Sequence, residues 1–157
     1  MKRIYLLFGL LLIILFFQPS DLICQEKWWK EKKFKNESQQ IKYNLCKKTF
    51  LAISEGFNSR NISYISQYLN DNVILNLLGY EKSYYSKNQA EIMLGDFIEY
   101  FYLIKFTYTN SFYMNNYAFV VGTYKYDRGQ GNRVLPVNIS LRYKDKLWII
   151  DQISITN

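Results

Sequence analysis

The sequence predicts an α+β domain in which three N-terminal helices pack on a curved, mostly antiparallel sheet. Three observations carry this. Apolar residues recur at three- and four-residue steps between about 40 and 57. Ser86-Lys-Asn-Gln89 is a capping-box signature that opens a second helical run. From about residue 104 the period changes to two and stays there almost to the C-terminus.

In the first helix Tyr43, Cys46, Phe50, Ile53 and Phe57 form one apolar stripe, with Lys42, Lys47, Lys48 and Glu55 on other faces. Gly56 or Asn58 can end it. Asn61 is the expected N-cap of a second, short helix that sets Ile62, Ile65 and Leu69 on one side. Asn70-Asp71-Asn72 reads as a turn, and Val73–Leu78 as a short strand. Behind the capping box, Ala90, Met93, Leu94, Phe97, Ile98 and Phe101 give the cleanest helical stripe in the chain.

Four strands follow. In the first, Ile104, Phe106, Tyr108, Asn110 and Phe112 alternate with Lys105, Thr107, Thr109 and Ser111. Tyr117–Tyr126 is the second, and Arg128–Asn132 a turn. Arg133–Tyr143 sets Leu135, Val137, Ile139 and Leu141 on one face. The last strand, Leu147–Thr156, changes phase, since Trp148 and Ile150 share one parity while Ile153 and Ile155 share the other. A two-residue turn at Lys144-Asp145 and a β-bulge at Asp151-Gln152 restore a single buried face, with Leu141 opposite Trp148 and Ile139 opposite Ile150. The competing register is a three-residue turn without a bulge, which turns Asp151 toward the apolar side.

The 157 residues carry 20 Lys and Arg against 13 Asp and Glu, a formal charge of +7, with two Cys and no His. Without His there is no Ser-His or Cys-His catalysis and no imidazole metal ligand. Two Cys exclude a disulfide scaffold and a four-thiolate zinc site. Phosphate-cradling and dinucleotide glycine motifs are missing, so no cofactor and no metal are expected. Lys2 and Arg3 precede an apolar run from Ile4 to Phe17, so residues 1–24 read as a signal peptide cleaved before Gln25. The chain is then exported, periplasmic or secreted. The rival is a lipoprotein acylated at Cys24, which Ile23 fits badly.

Residues 25–50 hold eight lysines against Glu26, Glu31 and Glu37, while residues 51–157 are almost neutral. Nucleic acid is therefore not an expected partner. Residues 25–40 form a basic, aromatic lead-in to a domain over 41–157. There Trp28, Trp29 and Phe34 either hold an anionic membrane surface or a partner, or simply pack on the domain.

Two helices, a short strand, a capped helix and a four-stranded meander resemble the nuclear transport factor 2-like superfamily, as does Trp148-x-Ile150-x-x-Ile153-x-Ile155 at the end of the chain. Tyr85-Ser86-Lys87-x-Gln89-Ala90-Glu91 with Leu94 and Phe97, the Gly122-Thr123 pair and the Arg133-Val134 step are similar to a family of small exported bacterial proteins known only as a domain of unknown function. The resemblance covers roughly 45–157. It implies a cone whose sheet wraps a long helix around a pocket, a scaffold used for isomerases, dehydratases, binding modules and protein docking. Dehydratase relatives use a His-Asp pair, which this chain lacks.

Within such a cone, Tyr108, Tyr124, Arg133, Trp148 and Gln152 are the expected ligand-binding residues, with tyrosine hydroxyls and an arginine as polar handles. Asp151 is the one candidate catalytic base, or else the bulge turns it outward. The leading expectation is a non-catalytic exported domain that binds a small apolar or amphipathic ligand or an envelope protein in its pocket or on its sheet, with a possible homodimer through the sheet. An isomerase- or hydrolase-like enzyme using Asp151 is the first alternative. A membrane-surface or interaction module using the N-terminal segment is the second.

Overall fold

The computed structural model describes residues 28–127, 129 and 131–157. The expected signal peptide, its cleavage before Gln25 and the lipoprotein alternative at Cys24 lie outside the described residues, as do Arg128 and Gln130 of the expected turn. Helix α1 spans Glu37–Asn58, α2 Ser63–Ser66 and α3 Lys87–Tyr100. Strands β1 Leu69–Leu77 and β2 Ser83–Ser86 precede α3, so the third helix is not N-terminal to the whole sheet. Strands β3 Leu103–Tyr113, β4 Tyr117–Asp127, β5 Asn132–Lys144 and β6 Leu147–Ile155 complete it. One curved sheet has the order β2-β1-β6-β5-β4-β3. All its pairs are antiparallel except β1 with β6.

The α1 stripe is buried over its whole length, from Tyr43 to Phe57. Asn58 then ties the helix to the sheet. Its Nδ2 donates to Phe106 O at 3.1 Å, and its Oδ1 accepts from Phe106 N at 2.9 Å. The amide thus stands in for a strand partner. The capping box forms as predicted, with Gln89 N donating to Ser86 Oγ at 3.4 Å and Ser86 N to Gln89 Oε1 at 3.0 Å. The N-cap of α2 is Ile62 and not Asn61, whose Oδ1 accepts from Ser63 N at 3.0 Å from one residue further out, and the short helix ends before Leu69, which is already strand.

Four further sequence expectations need correction. Asn70–Asn72 is not a turn but part of β1. Between Leu69↔Ile150 and Ile74↔Gln152 the strand carries extra residues relative to β6, so the turn-forming triplet bulges outward instead of reversing the chain. β2 is absent from the predicted elements because four residues show no period, and its last, Ser86, is also the cap of α3. The single phase expected for β3 is broken by extra residues at Ile104 and Thr109. Ile104 and Phe112 face out as a result, while Leu103, Phe106 and Tyr108 face in. The β5–β6 turn lies at Asp145-Lys146, one residue later than expected. Both residues have positive φ, 51° and 67°, as a two-residue hairpin of this twist requires. The register consequently pairs Tyr143 with Trp148, Leu141 with Ile150 and Ile139 with Ile153. The bulge between Ile150 and Gln152 is where the alternation placed it.

The boundary at residue 40 does not separate a lead-in from a domain in the packing. Trp28 and Trp29 are 3% and 4% exposed and belong to the core. Trp28 lies 4.7 Å from the Tyr108 ring, and its carbonyl accepts from Ser111 Oγ at 2.7 Å. Residues 28–36 form a strap across the start of α1 and the end of β3. Tyr43 Oη donates to Lys30 O, and Phe34 N donates to Gln40 Oε1 at 2.9 Å. No helix among the described residues is long and apolar enough to cross a membrane.

Candidate functional site

The interior of the cone is filled by the chain's own side chains. Phe50, Phe57, Phe106, Tyr108, Tyr124 and Trp148 are all buried there. Three expected ligand-binding residues spend their polar atoms on backbone carbonyls. Tyr108 Oη donates to Phe50 O at 3.0 Å, Tyr124 Oη to Phe101 O at 2.6 Å and Trp148 Nε1 to Lys42 O at 2.9 Å. Burial raises the pKa of Tyr108 and Tyr124 well above the ordinary tyrosine value, so both stay neutral donors. Cys46 is buried in the α1 stripe, and burial likewise pushes its thiol far up, leaving an inert group.

The other expected site residues do not face the interior. Arg142 lies between the inward residues Leu141 and Tyr143, which turns it to the outer face of the sheet. Asp151, extruded by the bulge between inward Ile150 and Ile153, meets it there. Arg142 Nη2 reaches Asp151 Oδ2 at 2.9 Å, and Nε reaches Oδ1 at 3.2 Å. This hydrogen-bonded carboxylate raises the Arg142 pKa further. Gln152 pairs with Ser140 and Ile74, also on the outer side. Arg133 is exposed at the start of β5, opposite Tyr126. No carboxylate among the described residues is buried, so the interior offers no base for the isomerase chemistry considered from the sequence. Nor do the described residues contain a group of His, Cys, Asp and Glu able to hold a metal ion.

A different site emerges at one end of the sheet, where β1 and β6 finish and β3 and β5 begin. Leu78 N donates to Ile155 O at 2.8 Å there, closing the sheet's rim. Beyond it lies a groove of about 950 Å³ between the β1–β2 loop and the last turns of α3. Its floor is Leu78, Phe97 and Phe101, its aromatic walls are Tyr80 and Tyr100, and Asp96 and Glu99 stand at the rim. The α3 periodicity dictates this arrangement. Phe97 and Phe101 continue the buried stripe, whereas Asp96, Glu99 and Tyr100 fall on the exposed side. Gly79, at φ 92°, lets the chain leave β1 sharply enough to bring Tyr80 back over the groove. In the sequence Asp96 and Glu99 are no more than two acids beside the apolar stripe of α3. Nothing local signals a groove whose other wall comes from a loop sixteen or more residues earlier.

The fold, and not the groove, is what the likenesses to known proteins bear on. The model of the family described as a domain of unknown function, DUF4783, matches residues 50–156. A DUF4783 family protein from Bacteroides ovatus is similar in structure with a TM-score of 0.60 and 23% identity, over 68% of this chain and 92% of that one. An NTF-2 like protein of unknown function from Shewanella oneidensis has a TM-score of 0.54 and 16% identity, over 73% and 98% of the two chains. A protein described as a putative dehydratase from the NTF2-like family of Streptomyces avermitilis has a TM-score of 0.59 and 10% identity, over 75% and 97%. At these identities the likeness is one of fold. Among curated proteins none is significantly similar in sequence.

Proposed function

The chain belongs to the DUF4783 family and has the nuclear transport factor 2-like fold, and on that basis we propose that it is a non-catalytic binding domain for a small cationic amphiphile, held in the groove at the mouth of the cone. The observation that carries the proposal is the pairing of an apolar aromatic lining with two rim carboxylates, Asp96 and Glu99, beside an interior already filled. Apolar floor residues take an acyl or aromatic body by burial. Tyrosine faces and carboxylates take an ammonium group, which gains from both the ring quadrupole and charge. In this reading the three helices pack inside the curve of the sheet, and α3 alone among them supplies a wall of the site. Export of the domain is supported by the charged and then apolar start of the sequence alone, and placing the groove outside the cytoplasm is part of the same proposal.

Binding of dodecyltrimethylammonium, below its micelle concentration, tests this against dodecyl sulfate. The cation is expected to bind more tightly, and Tyr100→Ala to weaken it by roughly fivefold. Equal or stronger binding of the anion, or a Tyr100→Ala variant that binds unchanged, would overturn the assignment.

A further inference from the structure

At the end of the domain opposite this groove, three segments meet: the strap of residues 28–36, the β3–β4 turn and the β5–β6 turn. Lys42 joins them. Its Nζ donates to Asn116 Oδ1 at 2.6 Å and Asn115 Oδ1 at 3.3 Å, and lies 3.9 Å from the centre of the Tyr143 ring. Tyr143 N donates to Asn116 O at 2.9 Å, fixing the two turns side by side. Around this junction Lys30, Lys32, Lys33, Lys35, Lys144 and Lys146 are exposed. Of the nearby acids, Glu31 is engaged by Lys47 at 2.6 Å, leaving Glu37 and Asp145 against the lysines. Each turn also shows solvent an apolar residue, Met114 at 50% and Leu147 at 64% exposure.

We propose that this basic end docks on an anionic phospholipid bilayer, leaving the groove facing away from the membrane. Lysine ammonium groups match the phosphate layer, each contributing roughly a fivefold factor in binding, while Met114 and Leu147 reach the acyl boundary. The strap that begins at Trp28 lies at this same end of the domain, so its lysines and the two turn tips form one surface. The lysines alone would also suit nucleic acid. Against that, Trp28 and Trp29 are in the core and unavailable for base stacking, and the apolar turn tips have no role on a phosphate backbone.

The full chain, bound to vesicles of phosphatidylcholine with and without phosphatidylglycerol, provides the test. Any anchoring by Ile4–Phe17 is common to both vesicles, so a difference reports how the domain sits. Lysine acetylation mapped by mass spectrometry is expected to slow at Lys30, Lys32 and Lys146 only on the anionic vesicles, with Lys82 and Lys125 unaffected. Raised salt should abolish the protection, and a K32E/K33E/K35E variant should lose at least about fivefold of it at Lys30 and Lys146. Equal labelling on both vesicles, or equal protection of the same lysines by a short DNA duplex without lipid, would overturn the proposal.

Discussion

The Tyr124 hydroxyl, from the middle of the sheet, donates to the Phe101 carbonyl just beyond α3 at 2.6 Å. It ties the last turn of the helix that walls the groove to the strand behind it. Tyr124→Phe removes this bond while keeping the ring, and should cost about 1 kcal/mol in a denaturant titration. A cost near zero would mean that the hydroxyl is not needed to seat α3.

Trp28→Ala tests whether the strap belongs to the domain. The ring is 3% exposed and packs on Trp29, Phe50 and Tyr108. Its removal should cost about 3–5 kcal/mol, measured by urea unfolding. A cost below about 1 kcal/mol would restore residues 28–36 to the status of an appended lead-in.

Much of this fold was legible in the sequence, and the misses share a cause. Stripes on α1 and α3 and the alternation of β5 report burial directly, so Tyr43–Phe57, Ala90–Phe101 and Leu135–Leu141 were readable. The Asp151 bulge was also readable, because it alone keeps Ile150 and Ile153 on one side. Moving the β5–β6 turn by one residue shifts the strand register by two, which leaves every inward residue inward, and alternation is therefore blind to it. Outward bulges at Ile104 and Thr109 depend on the partner strand. Site residues failed for a related reason. Inward parity places Tyr108, Tyr124 and Trp148 in the cone, but not whether carbonyls or a ligand receive their donors.

Gly122 explains one of those β3 bulges. A Cβ there would lie 2.5 Å from Thr107 O and 3.3 Å from Tyr108 Cα. The close approach comes just before the extra residue Thr109. Gly122→Ala should therefore cost about 1–3 kcal/mol by forcing the two backbones apart. Thermal unfolding checks it, and an unchanged midpoint would contradict the account.

Buried tyrosines set the response to alkali. Desolvation raises Tyr108 and Tyr124, and it is the main cause of raising Tyr113 to about 12 from the usual 10.0. The folded state therefore keeps protons that the unfolded state gives up. The stability these groups carry is intact below about pH 10 and is lost as pH rises through about 12. Denaturant midpoints across this range should fall, and the tyrosinate absorbance contributed by Tyr108 and Tyr124 should appear only together with unfolding. Full ionisation of Tyr108 and Tyr124 in a still-folded protein would contradict their burial.

The central claim is that the ligand site is the mouth groove and not the cone interior. A crystal structure of the chain with dodecyltrimethylammonium tests it most directly. The account predicts the ammonium group between Tyr80 and Tyr100 beside Asp96 and Glu99, its tail on Leu78, Phe97 and Phe101, with the Tyr108, Tyr124 and Trp148 hydrogen bonds intact. An amphiphile lying inside the cone with any of those three bonds broken would contradict it.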